Sequence, residues 1–169
     1  MRYNCIRKMD IADGPGVRVS IFFQGCHFHC KGCFNADTWD FNGGKEFNDE
    51  VINHVLELCQ NEVIGGLSIL GGEPLNPKNI EGATKLAKAF KEKYPDKTIW
   101  LWSGYLFEEY IKDQEIINYL DVLVDGRFDI TKSNPSLKYK GSSNQRVIDM
   151  KKTLKKGEVT LLEEAYVYE

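Results

Sequence analysis

The alternation of short apolar segments with amphipathic helical segments constrains the fold of this chain more than any other feature of its sequence. Four segments rich in β-branched, aromatic and leucine side chains are predicted as strands, at residues 17–23, 66–70, 98–102 and 122–124. Apolar residues at helical spacing follow the cap residue Asn48, recur after Pro77 and mark an amphipathic segment at 106–111. Strands that alternate with helices in this way predict a parallel sheet with right-handed crossovers.

The length of the chain decides how far such a sheet can extend. With 169 residues, 42% of them hydrophobic, and no internal repeat, the sequence predicts one domain over residues 1–169. Regular alternation is lost from about Thr131, so residues 131–169 are predicted to form a less regular C-terminal extension. About four or five strand-helix units are too few to close a complete barrel, and we expect an α/β fold with an open, partial (β/α) barrel.

The charge balance argues against a polyanionic partner. The chain has 25 acidic and 22 basic side chains and a formal net charge of -3, so we expect no nucleic-acid partner. The apolar run at 17–23 contains Arg18 and is too short to span a bilayer, and the amino terminus lacks the layout of a signal peptide. The sequence therefore predicts a cytoplasmic protein without a membrane partner, and a solvated surface for the basic run at 151–156.

A group of cysteines directly follows the first predicted strand. Cys26, Cys30 and Cys33 are separated by three and by two residues, whereas Cys5 and Cys59 lie elsewhere and Cys59 is predicted to be core. In a reducing compartment this spacing favours metal ligation over disulfides. Three thiolates in one loop can hold three corners of a four-iron four-sulfur cube and leave one iron open. A zinc site completed by a histidine is the alternative, and the cysteine spacing alone leaves both open.

Polar and glycine-rich turns follow the other predicted strands. Gly71 and Gly72 permit close backbone approach and positive φ angles, and Glu73 can accept hydrogen bonds from an ammonium group. Ser103 and Asp125 end the next two strands, so they are predicted at the same edge of the sheet, where ligands of parallel sheets bind. A lone Gly-Gly-Glu segment is more often a plain turn, and a turn or helix cap explains Asp125 equally well.

Taken in order along the chain, the Cys-x3-Cys-x2-Cys loop and the Gly-Gly-Glu turn resemble the two motifs of the radical S-adenosylmethionine superfamily. The resemblance implies one [4Fe–4S] cluster held by the three cysteines, with S-adenosylmethionine on the open iron and its amino group held by residues 71–73. Reductive cleavage of S-adenosylmethionine would give a 5′-deoxyadenosyl radical that abstracts a hydrogen atom.

The resemblance also implies further contacts with S-adenosylmethionine. The superfamily usually has an aromatic residue before the third cysteine, whereas here Gly32 takes that place and the aromatic residue is Phe34. Gly32 and Phe34 are therefore candidates for adenine contacts. Ser103 and Asp125 are candidates for contacts near the methionine carboxylate.

Within that superfamily the chain is most similar to the activating enzymes of glycyl radical proteins, in particular those of anaerobic ribonucleoside-triphosphate reductase. The similar segments are residues 13–18, 33–35, 38–39, 100–105, 122–128 and 141–146. This resemblance implies that the chain takes a hydrogen atom from a glycine of the large subunit of that reductase. It also implies a low-potential electron donor such as flavodoxin or ferredoxin.

Other hypotheses are compatible with the same residues. A different radical enzyme, either an activase of another glycyl radical enzyme or a small-molecule deazaguanine-type synthase, would use both motifs. A non-catalytic zinc-binding module would use the cysteines alone. Metal content and reaction product distinguish these classes.

Overall fold

A computed structural model describes residues 1–163 of the chain, and within them the backbone forms a seven-stranded mixed sheet and three α-helices. The strands are β1 (Arg2–Asp10), β2 (Val17–Phe23), β3 (Lys45–Glu46), β4 (Ile64–Gly71), β5 (Thr98–Trp102), β6 (Val122–Asp125) and β7 (Arg146–Asp149). The helices are α1 (Asp49–Leu58), α2 (Ile80–Lys93) and α3 (Met150–Lys156). The end of the predicted C-terminal extension, residues 164–169, lies outside the described residues.

Parallel pairing is confined to the centre of the sheet, whose strand order is β3-β1-β2-β4-β5-β6-β7. β2, β4, β5 and β6 pair in parallel, whereas β1 is antiparallel to β2 and β3, and β7 is antiparallel to β6. The predicted open sheet is confirmed, and its predicted parallel pairing holds for these central strands but not at the edges. β1 carries mostly polar, half-buried or exposed side chains, and β7 has two apolar residues between Arg146 and Asp149, so neither forms an apolar run that marks a strand.

The helices follow the sequence predictions in part. Asn48 caps α1 by accepting a hydrogen bond from the backbone N–H of Val51 at 3.1 Å, as predicted. α2 begins at Ile80 rather than near Pro77, which lies in the preceding turn. The amphipathic segment 106–111 forms turns that lead into a short 3-10 helix and no α-helix. None of the helices within residues 1–163 has the length and apolar content that a bilayer crossing requires.

Alternate side chains of the central strands point to opposite faces of the sheet. On one face, fully buried aliphatic side chains pack with the apolar sides of α1 and α2; they are Val19, Ile21, Leu67, Ile69, Ile99 and Leu101. Cys59 is buried in the same cluster, which confirms its prediction as a core residue. On the opposite face a smaller cluster contains Trp100, Val122 and Val124. The sheet is therefore covered by helices on one face and free to line a cavity on the other.

Arg18 carries a charge inside the protein at the amino-terminal end of β2. It is 1% exposed, and burial lowers its pKa to about 10, so it is protonated at neutral pH. Its guanidinium donates to the Ser68 hydroxyl at 2.8 Å, to the Thr98 hydroxyl and carbonyl at 3.0 Å, and to the Leu67 carbonyl at 3.0 Å. Ser68 in turn donates to the carbonyl of Asp13 at 2.6 Å. Arg18 therefore ties β2, β4, β5 and the loop that carries Asp13 together.

Replacing Arg18 with methionine should lower the free energy of unfolding by about 3 kcal/mol, because buried oxygen acceptors lose their donor. Urea unfolding followed by circular dichroism measures this change. Lys85→Met, which removes an exposed ion pair with Asp49, is the control and should cost less than about 1 kcal/mol. Equal unfolding midpoints for the two variants would contradict the role assigned to Arg18.

Candidate active site

A cavity of about 550 Å³ lies at the carboxyl ends of the central strands. Most of the residues predicted from the sequence line it, namely Cys26, Cys30, Cys33, Phe34, Gly71, Gly72, Glu73 and Ser103. Gly32 and Asp125 lie outside its lining. The structure thus brings the cysteine loop and the Gly-Gly-Glu turn, which are far apart in the sequence, to one cavity.

The cysteine loop is fixed by hydrogen bonds at its beginning and its end. The backbone N–H of Cys26 donates to the carbonyl of Trp39 at 3.1 Å, so the chain returns on itself after the loop. The side-chain amide of Asn35 donates to the carbonyl of Gly71 at 3.1 Å. The second bond joins the end of the loop to the end of β4 and so to the Gly-Gly-Glu turn.

The three thiols are free and partly buried. The backbone N–H of Asn35 donates to the Cys33 sulfur at 3.4 Å, and backbone N–H groups of Phe28, His29 and Phe128 lie near the Cys26 and Cys30 sulfurs. Burial raises the pKa of the Cys26 and Cys30 thiols, and the N–H donors oppose that shift. Iron–sulfur clusters are held by cysteine thiolates, and the sulfur atoms of such sites accept hydrogen bonds. The donor set therefore fits a cluster with three cysteine ligands.

The three histidines lie outside the cavity lining. His27 Nδ1 lies 3.0 Å from the side-chain nitrogen of Asn76, the His29 ring stacks on Trp39 with centroids 4.4 Å apart, and His54 is exposed on α1. Within residues 1–163, no three His, Cys, Asp or Glu side chains are grouped so as to hold one metal ion. A four-iron cube gives each thiolate an iron of its own, so it does not require the sulfurs to converge on one point.

Gly71 and Gly72 lie where the carboxyl ends of β2 and β4 approach each other closely. Gly71 has a φ angle of 137°, and a Cβ atom there would lie 2.4 Å from the backbone nitrogen and oxygen of Phe23. A Cβ atom on Gly72 would lie 2.7 Å from the carbonyl oxygens of Phe23 and Gly25. Both positions therefore require glycine, and the backbone of the turn faces the cavity without a side chain in front of it.

Glu73 joins the turn after β4 to the turn after β5. It is 1% exposed, and its carboxylate accepts hydrogen bonds from the Ser103 hydroxyl at 2.9 Å and from the backbone N–H groups of Gly104 at 2.6 Å and Leu75 at 2.9 Å. Burial raises the pKa of Glu73 to about 7, while these hydrogen bonds favour its charged form. Glu73 and Ser103 are thus bonded to each other on the cavity wall, and their contacts with a cofactor stay predictions.

Asp125 and Gly32 make close contacts with neighbouring segments but do not line the cavity. Asp125 is fully buried and accepts hydrogen bonds from the backbone N–H of Phe107 at 2.9 Å and from Arg146 at 3.0 and 2.6 Å. Gly32 has a φ angle of 77°, and a Cβ atom there would lie 2.4 Å from Ile130 Cδ1. Cofactor contacts of Asp125 and Gly32 also stay predictions.

Sequence reasoning missed several side chains that line the cavity. Phe28 packs beneath the guanidinium of Arg127, which lies 4.5 Å from the ring centroid. Arg7 and Asp13 also line the cavity. The position of Phe28 between the first two cysteines was a signal that could have identified it. Arg7 offered no such signal, because its strand β1 was not predicted.

Asp13 belongs to a small charged group on the cavity wall. The Asp13 carboxyl shares a hydrogen bond with that of Asp10, which is buried and accepts a second bond from the Ser20 hydroxyl at 2.6 Å. The Arg7 guanidinium lies 3.7 Å from Asp13 and 4.0 Å from Asp10. Burial, together with the neighbouring Asp10, raises the pKa of Asp13 to about 7, and Arg7 only partly offsets this rise.

Comparison with known proteins agrees with this chemistry. A family model described as a 4Fe-4S single cluster domain matches residues 12–148, which places the chain in a class of iron–sulfur proteins. Three similar proteins carry the name anaerobic ribonucleoside-triphosphate reductase-activating protein. The one from Enterobacteria phage T4 is 39% identical over 87% of this chain and 93% of its own length. Those from Vibrio cholerae and Escherichia coli K12 are 37% and 38% identical, over 86% and 87% of this chain and 96% and 97% of their own lengths. The chain belongs to the family of anaerobic ribonucleoside-triphosphate reductase-activating proteins.

Gly71→Ala should lower the free energy of unfolding by about 3 kcal/mol or more, because the new Cβ atom would force β2 and β4 apart. Gly65→Ala in the same strand is the matched control, since a Cβ atom there meets nothing closer than 3.8 Å. It should change the free energy of unfolding by less than about 1 kcal/mol. Urea unfolding of both variants gives the comparison, and a tolerated Gly71→Ala would show that the two strand ends can separate at little cost.

The contribution of Asp13 to the stability of the protein should fall as the pH rises from about 4 to about 7. The folded protein holds the Asp13 proton up to about pH 7, whereas the unfolded chain releases it near the ordinary value of 3.8. Asp13→Asn keeps the neutral form and should flatten this decline. Urea midpoints at several pH values for the native protein and the variant test this, and parallel curves would contradict it.

Proposed function

We propose that this chain activates anaerobic ribonucleoside-triphosphate reductase by taking a hydrogen atom from a glycine of its large subunit. The observation that carries the proposal is the meeting of three free, partly buried thiols and the Gly-Gly-Glu turn in one cavity. The names of the similar proteins support the choice of the reductase as the target. The proposed electron donor is a low-potential protein such as flavodoxin or ferredoxin, and the proposed compartment is the cytoplasm.

Cys26, Cys30 and Cys33 would hold three irons of a [4Fe–4S] cluster, and the fourth iron would stay open for S-adenosylmethionine. When bound, the cluster and S-adenosylmethionine supply one electron and a 5′-deoxyadenosyl radical. Hydrogen transfer from glycine is favourable, because the resulting Cα radical is stabilised by the adjacent amide nitrogen and carbonyl. The protein therefore has to bind, orient and shield the reactants rather than provide an acid or a base.

The remaining predicted residues would perform this positioning. Gly71 and Gly72 expose their backbone to the cavity, and we assign the methionine amino group to that turn and to the carboxylate of Glu73. Ser103 would contact the cofactor from the neighbouring turn. The exposed ring of Phe34 and the backbone of Gly32 would flank the adenine. Asp125, which is bonded to Arg146, would act near the methionine carboxylate by fixing the end of β6.

The proposal includes a finer description of the fold. We assign the open sheet to the partial (β/α) barrel of the radical S-adenosylmethionine type, within one domain over residues 1–169. In support of this assignment, Phe22, Leu70 and Trp102 of neighbouring strands line the cavity on the sheet face that the helices leave uncovered. The strand ends and the uncovered face would then enclose the reactants together.

Replacing Cys30 with alanine should abolish cluster binding and radical formation, because one of three ligands is lost. Each protein is purified and reconstituted without oxygen, analysed for iron and sulfide, and incubated with reductant, S-adenosylmethionine and the reductase. Electron paramagnetic resonance should show a glycyl doublet with the native protein. Cys5→Ala, which removes a cysteine outside the cavity lining, should keep both the cluster and the doublet.

Different failures of this experiment have different meanings. About one zinc per chain with no sulfide would replace the proposed enzyme by a zinc-binding module. Cleavage of S-adenosylmethionine without a doublet on the reductase would indicate another radical enzyme. A cluster that survives Cys30→Ala would overturn the assignment of its ligands.

A further inference from the structure

The cysteine loop has one side towards the cavity and another towards solvent. Five of its residues line the cavity, namely Cys26, Phe28, Cys30, Cys33 and Phe34. The residues between them do not line it and are exposed, namely His27, His29, Lys31 and Gly32. The loop that supplies the three thiols therefore has solvent directly on its other side.

The turn that follows β4 adds Lys78 to the solvent side of the loop. His27 Nδ1 lies 3.0 Å from the side-chain nitrogen of Asn76, and the backbone N–H of Lys78 donates to the side-chain oxygen of Asn76 at 2.9 Å. The Lys78 ammonium lies 4.7 Å from the centroid of the Phe41 ring. A Cβ atom on Gly25 would overlap that ring, so the ring packs against the start of the cysteine loop. Lys78 is thus held beside the loop, and with His27, His29 and Lys31 it forms what we call the basic face.

The segments that form the basic face contain no carboxylate. Residues 25–35 and 74–79 include no aspartate or glutamate, although the chain has 25 acidic side chains. Glu73, directly before the second segment, is buried and lines the cavity. Asp37 is the first exposed carboxylate after the loop. The basic face therefore has no negative charge of its own.

The two lysines of the basic face keep their charges unpaired. Both Lys31 and Lys78 are exposed, and none of the ion pairs within residues 1–163 includes them. In the basic run at 151–156, by contrast, two lysines are paired with carboxylates. The charges of Lys31 and Lys78 are therefore left for a partner.

The proposed reaction needs two approaches to the cysteine loop. S-adenosylmethionine and the glycine have to enter the cavity, so they occupy its side of the loop. An electron donor can reach the thiol ligands from the solvent side without competing with them. Electron-transfer partners form small, transient interfaces, and opposite charges steer their encounter.

We propose that the basic face is the docking surface for an acidic one-electron carrier protein, such as flavodoxin or ferredoxin. The carrier loses one electron and the oxidised cluster gains it. This inference rests on the proposed function, because it requires the cluster, and it deepens that function by naming the surface that recognises the donor.

Charge reversal tests the two lysines, through Lys31→Glu and Lys78→Glu. Lys155→Glu is the matched control, because it makes the same change at an exposed position of α3. That helix begins at the opposite edge of the sheet, where Asp149 pairs with Val122 at the start of β6. Each protein is reconstituted without oxygen, and its iron and sulfide are measured first.

Formation of 5′-deoxyadenosine is then measured with S-adenosylmethionine and a limiting amount of reduced flavodoxin or, separately, reduced ferredoxin. At low ionic strength, both test variants should slow the reaction with at least one carrier about tenfold, and added salt should diminish the difference. Lys155→Glu should react at the native rate. Photoreduced 5-deazariboflavin, a small reductant without an acidic surface, should serve all four proteins equally.

Binding gives a second measurement that does not depend on turnover. Titration of ¹⁵N-labelled oxidised flavodoxin with each protein, followed by nuclear magnetic resonance, yields the dissociation constant. If flavodoxin is the carrier that the rate measurements select, both test variants should raise this constant about tenfold at low salt, and Lys155→Glu should leave it unchanged.

Native rates with both carriers in Lys31→Glu and Lys78→Glu would overturn the inference. Equal losses with the carriers and with 5-deazariboflavin would also overturn it, because the lysines would then act on the cluster or on the reductants alike. A native protein that 5-deazariboflavin reduces and neither carrier reduces would have the same meaning. If Lys31→Glu does not hold a cluster, Lys78→Glu decides alone, since it lies outside the loop. Absence of a cluster in the native protein would instead be a failure of the proposed function.

Discussion

The close approach of β2 and β4 at their carboxyl ends is the constraint on which the rest of the site depends. Gly71 and Gly72 bring two backbones closer than any side chain would allow. At this contact the N–H of Glu73 donates to the carbonyl of Gly25 at 2.8 Å, and the side chain of Asn35 reaches Gly71. The close approach of the two backbones and these two hydrogen bonds thus fix the cysteine loop relative to the Gly-Gly-Glu turn. Two motifs separated by about one strand and one helix become a single rigid unit.

Two buried ionisable side chains lie towards opposite ends of the central strands, and hydrogen bonds to neutral groups hold both. Arg18 donates to hydroxyl and carbonyl oxygens on β4 and β5. Glu73 accepts from N–H and O–H groups of the turns after β4 and β5. Removing a charge from water is costly unless several dipoles are directed at it. Here those dipoles belong to neighbouring strands and turns, so the bonds that offset the cost of burial also set the positions of the strand ends.

The sequence was most informative where one physical signal dominated. The apolar runs at 17–23 and 98–102 are strands with those bounds, and Asn48 caps its helix. The cysteine loop and the Gly-Gly-Glu turn could be placed at one cavity because the carboxyl ends of parallel strands meet at one edge. β1 was missed because most of its side chains are polar, and β7 was missed because its two apolar residues, Val147 and Ile148, are too few to form an apolar run. The partner of Asp125 was equally hidden, because Arg146 lies on β7. Local patterns predict elements and motifs, whereas the pairing of side chains depends on the final register.

Hydrogen bonds between successive loops explain how loops can hold a precise site. The turn at Glu73 is bonded to Gly25 on one side and to Gly104 on the other. The N–H of Gly126 then donates to the carbonyl of Tyr105 at 3.1 Å, and Asp125 binds Arg146. These bonds form a continuous chain across the ends of β2, β4, β5, β6 and β7. Each loop also continues from a strand whose aliphatic side chains are packed under the helices. Because hydrogen bonds join each loop to the next, one loop can move only if its neighbours move with it. The cavity therefore gains the rigidity of the sheet, although its functional groups lie in the loops.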